Sequence, residues 1–470
     1  MNMKTISTSR YDLSFREREK GGPAGYESAY LTSEGDPAGE DLYRLFDKMG
    51  GVLLPAKIKN IRQRNGLELV NALKYHKTVG IASGFKPSGA YHFGHKLTSG
   101  AVSFFQKNGA QIFMPIADIE CEMDKRVSRE DYLFWAADNL LDWGANGVNL
   151  DATHVYFQSE ERKVSNLAYI AARGLTFDLA IDIYGFEKLC GNPEKKDDRG
   201  EFPFLFAGVT QVGDILLPQH PEFGNYHSFM VSGQDQDGHM KMTIELVKRA
   251  IKEERVIPGL QTVPSGFYIP HMRGLEGKAS SSKHNTTLYL GAGPFRLDLE
   301  DRIKKSLDML DEAYKDGKTR RNVMNCTLDM AMYIDIFNDE SIVNFSDLIL
   351  NMPCIIKKQL KDLEGDIGGR INLFDLYLIE ESRRLGQDNF DLVRSIIPKA
   401  LKQHQKKRQE ILEYAKRRAD YKNEAWNIED NRPTQPEYWE IPKEAVVDQT
   451  KRNSTEWFHI VNSTSEKIIT

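Results

Sequence analysis

The sequence predicts an α/β fold, a doubly wound parallel sheet followed by an α-helical region. Two observations predict it. Between about residues 77 and 158, short apolar runs alternate with stretches of helical periodicity, the pattern of a parallel sheet crossed over by helices. After about Pro294 the strand signals fade and the periodic segments that remain are all helical. The composition permits this architecture: 470 residues, 40% hydrophobic and 28% charged, is an ordinary globular balance. The length has room for about three domains.

In order along the chain, residues 1–50 are rich in Gly, Ser, Glu and Pro and predict a loosely packed arm leading into a first helix over 41–49. A helical stretch over 58–75 carries Ile61, Leu67, Val70 and Leu73. A strand over 78–83 ends in a Gly/Pro/Ser turn, and a helix follows over 96–108. A second strand over 110–118 ends in acidic residues. The helix over 128–143 places Leu133, Ala136, Ala137, Leu140 and Leu141 at helical spacing, and a third strand covers 153–158. Amphipathic helices are expected over 297–315, 345–364, 372–385 and 390–422, and the last stretch, 423–470, reads as an irregular tail. In sheets of this kind ligands bind beyond the carboxyl ends of the strands. The polar turns at 83–89 and 118–124 both fall at such ends.

Charge and cysteine content narrow the function classes. Sixty-three Lys and Arg against 68 Asp and Glu give a net charge of −5. A whole-protein basic field is excluded, and any nucleic acid must bind a local basic face. No run approaches the roughly 18–20 apolar residues of a membrane helix. The first residues lack the apolar core of a signal peptide, so a cytoplasmic location is expected. Cys121, Cys190, Cys326 and Cys354 form no CxxC pair, and neither a disulfide framework nor a metal site is expected.

Two segments carry chemistry. The first, Gly84-Phe-Lys-Pro-Ser-Gly-Ala-Tyr-His-Phe-Gly-His95, lies between a strand and a helix. Its glycines, at 84, 89 and 94, let backbone N–H groups approach a ligand. The helix it opens offers an anion-binding N-terminus. His92 and His95 fall on one side of the first turn, where they can donate to phosphate oxygens. The second, Gly274-Leu-Glu-Gly-Lys-Ala-Ser-Ser-Ser-Lys-His-Asn285, brackets hydroxyls with two lysines on a Gly-flanked loop, suited to a migrating pyrophosphate. Alone, each segment also reads as a capped helix or a polar loop.

Together and in this order they resemble the HIGH and KMSKS signatures of class I aminoacyl-tRNA synthetases. Ala117-Asp-Ile-Glu120, Tyr184-Gly-Phe186, the stretch Gln211-Val-Gly-Asp214 and Gly233-Gln-Asp-Gln-Asp-Gly-His-Met-Lys241 are similar to the tryptophanyl/tyrosyl subgroup. The last is closest to the archaeal and eukaryotic-type tryptophanyl branch. The resemblance runs from about residue 40 to 420 and implies a division of the chain. It gives an N-terminal extension (1–75), a Rossmann-type catalytic domain with a dimerisation insertion (76–295), a helical anticodon-binding domain (296–422) and the tail (423–470).

It also implies roles. His92, His95, Lys278, Ser280, Ser281, Ser282 and Lys283 would act on the phosphates of ATP, with Mg²⁺ accompanying them. Gly84, Gly94, Gly233 and Asp235 would line the adenosine pocket. Phe85, Glu120, Gln211, Asp214 and Gln236 would surround the amino acid. Tryptophan is favoured over tyrosine, because an indole N–H needs one acceptor, which Asp214 supplies. At Phe85 the hydroxyl expected of the tyrosyl enzymes is absent. The basic stretch over 399–422, with Lys402, Lys406, Lys407 and Arg408, is the expected contact for tRNA(Trp). A symmetric homodimer is expected from the resemblance.

The chain also departs from the pattern. Ala279 replaces the methionine that packs the KMSKS loop, Ser281 stands at its second lysine, Gly238 at a proline, and Ala82 at an aromatic. These departures keep two other readings open beside tyrosine activation: a nucleotidyl transferase without tRNA, and a catalytically weak paralog that binds RNA or regulates.

Overall fold

The computed structural model describes residues 36–37, 62–123, 127–191, 202–269, 271, 274–275, 279–280, 284–285, 287–293, 297–315, 386–420, 457–458 and 460–461. The strands are β1 (Asp36–Pro37), β2 (Arg62–Arg64), β3 (Val79–Ala82), β4 (Gln111–Ile116), β5 (Thr153–Phe157), β6 (His227–Gly233) and β7 (Ser265–Ile269). They form one sheet in the order β1-β2-β7-β6-β3-β4-β5. The five strands from β7 to β5 run parallel, and β2 and β1 extend the β7 edge antiparallel. The chain builds outward from β3 through β4 to β5, then crosses back to place β6 and β7 on the other side of β3. The switch point therefore lies between β3 and β6, the place where a doubly wound sheet opens a crevice.

Helices cover both faces, which is why the strands read as continuous apolar runs rather than alternations. Every residue of β3 and β7 is buried. Successive residues of β4 feed opposite cores: Ile112, Met114 and Ile116 face one, Phe113 the other. The first core collects helices α1 (Gly66–Lys74), α2 (Phe93–Lys107) and α4 (Arg129–Ala145). The second collects α5 (Arg162–Ala172), α6 (Phe177–Tyr184), α8 (Phe204–Leu216) and α9 (Asp237–Lys252). Two short helices, α3 (Asp118–Met123) and α7 (Phe186–Cys190), fill turns between them. Caps begin α4 and α6 where the sequence supplies hydroxyls: Ser128 accepts from the Asp131 N–H at 3.1 Å and Thr176 from the Leu179 N–H at 3.3 Å.

Several expectations change. The helix expected over 58–75 begins only at Gly66, because Arg62–Arg64 is β2. Arg64 there donates twice to Asp237 at the start of α9, at 2.7 and 2.6 Å. Cross-sheet pairing and a bidentate ion pair outweigh local helical periodicity at these residues. The acidic turn at 118–124 is already helical, as α3. The helices expected over 41–49, 345–364 and 372–385 lie outside the described residues.

The described C-terminal helices pack on the first core. Helices α10 (Leu299–Lys315) and α11 (Gly386–Asp420) put Ile303, Leu310, Leu401, Leu412 and Ala415 into the same apolar cluster as α2 and α4. Four described residues of the stretch read as an irregular tail, 457, 458, 460 and 461, also meet that cluster. Trp457, Phe458 and Val461 are buried in it, and the Trp457 indole N–H donates to Asp151 at 2.9 Å. Among the described residues no helix is long and apolar enough to cross a membrane.

Candidate active site

A cavity of about 370 Å³ opens at the carboxyl ends of β3, β4 and β6. Its wall starts where β3 ends. Gly84 passes so close to β4 that a Cβ there would lie 1.8 Å from the Pro115 carbonyl oxygen. The close approach is held by two backbone bonds: the Phe85 N–H donates to the Pro115 carbonyl (3.1 Å), and the Ala117 N–H to the Phe85 carbonyl (3.0 Å). Only glycine allows it.

The turn then opens α2 with a reciprocal cap. The Gly94 N–H donates to His92 Nδ1 at 3.0 Å, and the His92 N–H to His95 Nδ1 at 3.3 Å. Both Nδ1 atoms are acceptors, so each ring carries its proton on Nε2. The rings stack with centroids 3.7 Å apart. Burial lowers His92 well below its ordinary value and His95 to about 4. Both are therefore neutral donors at pH 7, not cations, and fixed charge for an anion falls to the N-terminus of α2 and to lysines.

The second motif meets the first. Ala279 and Ser280 line the same cavity as His92 and His95. The segment after the loop lies along the histidine turn, with the Phe93 N–H donating to the Leu288 carbonyl and the Leu290 N–H to the Tyr91 carbonyl, at 3.3 and 3.0 Å. Ala279, where a methionine was expected to be needed, is buried. Thr287 Oγ1 holds Ser280 by accepting from its N–H (3.0 Å) and donating to its carbonyl (2.9 Å). Lys278, Ser281, Ser282 and Lys283 lie outside the described residues.

At one side of the cavity stands Asp235, 3.3 Å from His271 Nε2. Burial alone would raise its carboxyl, but the charge and hydrogen bond of His271 hold it below its ordinary range. A Cβ on Gly233 would sit 2.6 Å from both the Asp235 carboxylate and the His271 ring. Elsewhere on the wall, Gln211 donates to Gln236 at 3.1 Å, and Glu120 pairs with Lys86 at 3.3 Å.

Asp214, on α8, is buried at the cavity wall. It accepts from the Tyr156 hydroxyl at 2.9 Å and from Gln158 at 2.5 Å. Burial raises its carboxyl to about 7; the two hydrogen bonds pull it down, and the charges of Asp118 and Glu161 push it up. The hydroxyl at Asp214 thus comes from β5, whereas the Phe85 ring stacks on Trp143 at 5.9 Å. The absence of a hydroxyl at position 85 therefore does not by itself decide between indole and phenol.

A pH dependence follows. An unfolded aspartate titrates near 3.9. Between about 4 and 7 the folded chain keeps a proton that the unfolded chain releases, so this contribution to stability is present at low pH and lost as pH rises through 7. Urea midpoints of the wild type should fall between about pH 4 and 7 relative to those of Asp214→Asn, and level off above that range. The difference is up to about 4 kcal/mol, at about 1.4 kcal/mol per pH unit.

Tyr156, Gln158 and His271 were not foreseen. Gln158 had a signal, as a polar residue ending an apolar strand at the ligand side of the sheet. His271 had none, since its neighbour Asp235 is distant in sequence. At Gly238, where the pattern has proline, a Cβ would make ordinary contact, 3.4 Å from Tyr184.

Of the expected tRNA contacts, Lys402, Lys406 and Lys407 are exposed on α11. Arg408 is corrected. It is 2% exposed and lies between Asp138 and Asp142, 2.5 Å from each. The helix turns Arg408 into the core, where it cannot meet a phosphate.

The family described as tRNA synthetases class I (W and Y) matches residues 74–364. The tryptophan–tRNA ligase of Methanocaldococcus jannaschii is 34% identical over 51% of this chain and 60% of its own length. That of Aeropyrum pernix is 30% identical over 58% and 63%. The chain thus spans about 60% of the length of these curated relatives. In fold it is similar to the crystal structure of tryptophanyl-tRNA synthetase from A. pernix (TM-score 0.55, 21% identity, 79% of this chain and 90% of that one). It is also similar to the tryptophan-bound enzyme of Encephalitozoon cuniculi (TM-score 0.54, 16% identity, 82% and 96%). With His92 and His95 of the first segment and Ala279 and Ser280 of the second on one cavity of a doubly wound sheet, the chain belongs to the class I tRNA synthetases of the tryptophanyl and tyrosyl family.

Proposed function

We propose that this chain is a tryptophan–tRNA ligase. It would activate tryptophan with ATP to tryptophanyl-adenylate, release pyrophosphate, and pass the aminoacyl group to the 3′ end of tRNA(Trp). The observation that carries the reading is the single cavity lined by His92, His95, Ser280, Asp235 and Asp214. The names of the curated relatives favour tryptophan within the family.

In the first step the tryptophan carboxylate attacks the α-phosphate. No covalent enzyme intermediate is needed, so the protein contributes position and electrostatics. The Nε2–H groups of His92 and His95 donate to phosphate oxygens as neutral imidazoles, which leaves charge balance to Lys278, Lys283 and Mg²⁺. The loop with Ser280, Ser281 and Ser282 closes over the pyrophosphate. Mg²⁺ bound to the phosphates would supply further positive charge there. Gly84, Gly94, Gly233 and Asp235 hold the adenosine. Asp214 accepts the indole N–H on a lone pair that Tyr156 and Gln158 leave open, with Gln211, Gln236, Glu120 and Phe85 around the amino acid.

The helical domain over 296–422 would read the anticodon. Lys402, Lys406 and Lys407 would meet tRNA phosphates. Lys406→Glu with Lys407→Glu should weaken tRNA binding and reduce the slope of affinity against salt by about 2, one for each phosphate that is no longer neutralised. A filter-binding titration at several salt concentrations reads both. The insertion α5–α8 leaves Tyr169, Phe177, Phe186 and Phe206 exposed, which suits the homodimer contact expected of the subgroup. A cytoplasmic location goes with this reading.

The test of the whole reaction is charging of tRNA(Trp) transcript with tryptophan in the presence of ATP, read on acid gels. Accumulation of tryptophanyl-tRNA is expected. Charging with tyrosine alone would move the assignment to the other branch of the family.

A further inference from the structure

One turn of α11 lies behind the histidine turn and the segment that follows the Lys-Ser loop. His404 Nε2 donates to Asp142 on α4 at 2.8 Å, and the His404 ring stacks on Tyr91 with centroids 6.0 Å apart and planes 10° from parallel. The Tyr91 ring in turn lies 5.4 Å from that of His95. The neighbouring Gln405 accepts from Arg302 on α10 at 2.6 Å. Arg302 also donates to the carbonyls of Leu290 and Gly291, the residues whose N–H groups donate to the Tyr91 carbonyl. His404, Gln405, Tyr91, Asp142 and Arg302 are all buried. The helix therefore reaches the histidine turn through an aromatic stack and the segment after the Lys-Ser loop through a guanidinium, from two adjacent residues.

We propose that His404 is a positioning residue for the HxGH turn, setting the rings of Tyr91 and His95 according to how α11 docks on the catalytic unit. It touches no reactant. Its donor bond fixes its own ring on Asp142, and that ring is the flat surface against which Tyr91 is held. Gln405 and Arg302 keep the post-loop segment in register with the same turn. Misplacement of phosphate donors by about an ångström costs on the order of 100-fold in rate. The inference rests on the adenylate chemistry proposed above, and the test separates the two.

His404→Ala and His404→Gln are compared with wild type by tryptophan-dependent ATP–pyrophosphate exchange and by imidazole ¹H–¹⁵N spectra with the His95 signals assigned. His404→Ala should lower kcat by about 10- to 100-fold, with KM for tryptophan within about twofold, and should move the His95 signals. His404→Gln keeps a donor for Asp142 but offers Tyr91 no ring, so it should hold the fold while kcat stays low and the His95 signals stay displaced as in His404→Ala. Folded His404→Ala with unchanged kcat and unmoved His95 signals would overturn the proposal. If His404→Ala does not fold, Tyr91→Leu reads the same path with His404 intact. It should lower kcat and move the His95 signals in the same direction, and a Tyr91→Leu protein with wild-type kcat and spectrum refutes it. Absence of exchange in the wild type would defeat the functional reading alone, because the His95 spectrum still decides the positioning role.

Discussion

Replacing Arg408 with methionine is expected to destabilise the protein by about 3–5 kcal/mol. The guanidinium holds two carboxylates that are fully buried, Asp138 and Asp142. Burial pushes the Asp142 carboxyl up, and the Arg408 charge with the His404 hydrogen bond more than offsets it. Without Arg408 two like charges face each other without water. Replacing Asp138 and Asp142 with leucine in the same protein should restore part of the loss, since a buried ion triad exchanged for apolar side chains is often neutral, while His404 is left without its acceptor at a cost of about 1–3 kcal/mol. Urea denaturation of the single and triple variants checks both statements. A single variant within about 1 kcal/mol of wild type would mean that water reaches this site.

The second large effect belongs to Gly84→Ala. A Cβ 1.8 Å from the Pro115 carbonyl has nowhere to go, because the atom it meets is backbone of a central strand. The chain must retreat from β4, breaking the Phe85–Pro115 and Phe85–Ala117 bonds and displacing the turn that carries His92. Adenylate formation should fall by about 100-fold or more, and overpacking should cost about 1–3 kcal/mol. Gly238→Ala is the contrast. Its Cβ meets Tyr184 at an ordinary 3.4 Å, and in a helix alanine is favoured by about 0.5–1 kcal/mol. Single-turnover adenylate formation and thermal melts should separate the two glycines clearly.

What was legible in the sequence was whatever is local. The alternation of apolar runs and helical patterns showed the parallel unit, and Gly84, His92, His95 and Ser280 stood out because turn chemistry is written in consecutive residues. The unforeseen parts depend on distant pairing. Arg62–Arg64 is a strand because β7 lies beside it, not because of its own propensity. His271 joins the site through Asp235, and Arg408 leaves the basic face because two aspartates of α4 lie under it. A charge run shows which residues are cationic, but the turn of the helix decides which of them sees solvent. Trp457 docks by shape and by one bond to Asp151, neither of which produces a period.

Tryptophan activation is the claim on which the functional account stands, and ATP–pyrophosphate exchange against each of the twenty amino acids tests it most directly. Exchange with tryptophan at least tenfold above every other amino acid is expected. Exchange driven by tyrosine and not by tryptophan, or by none of the twenty, would contradict it.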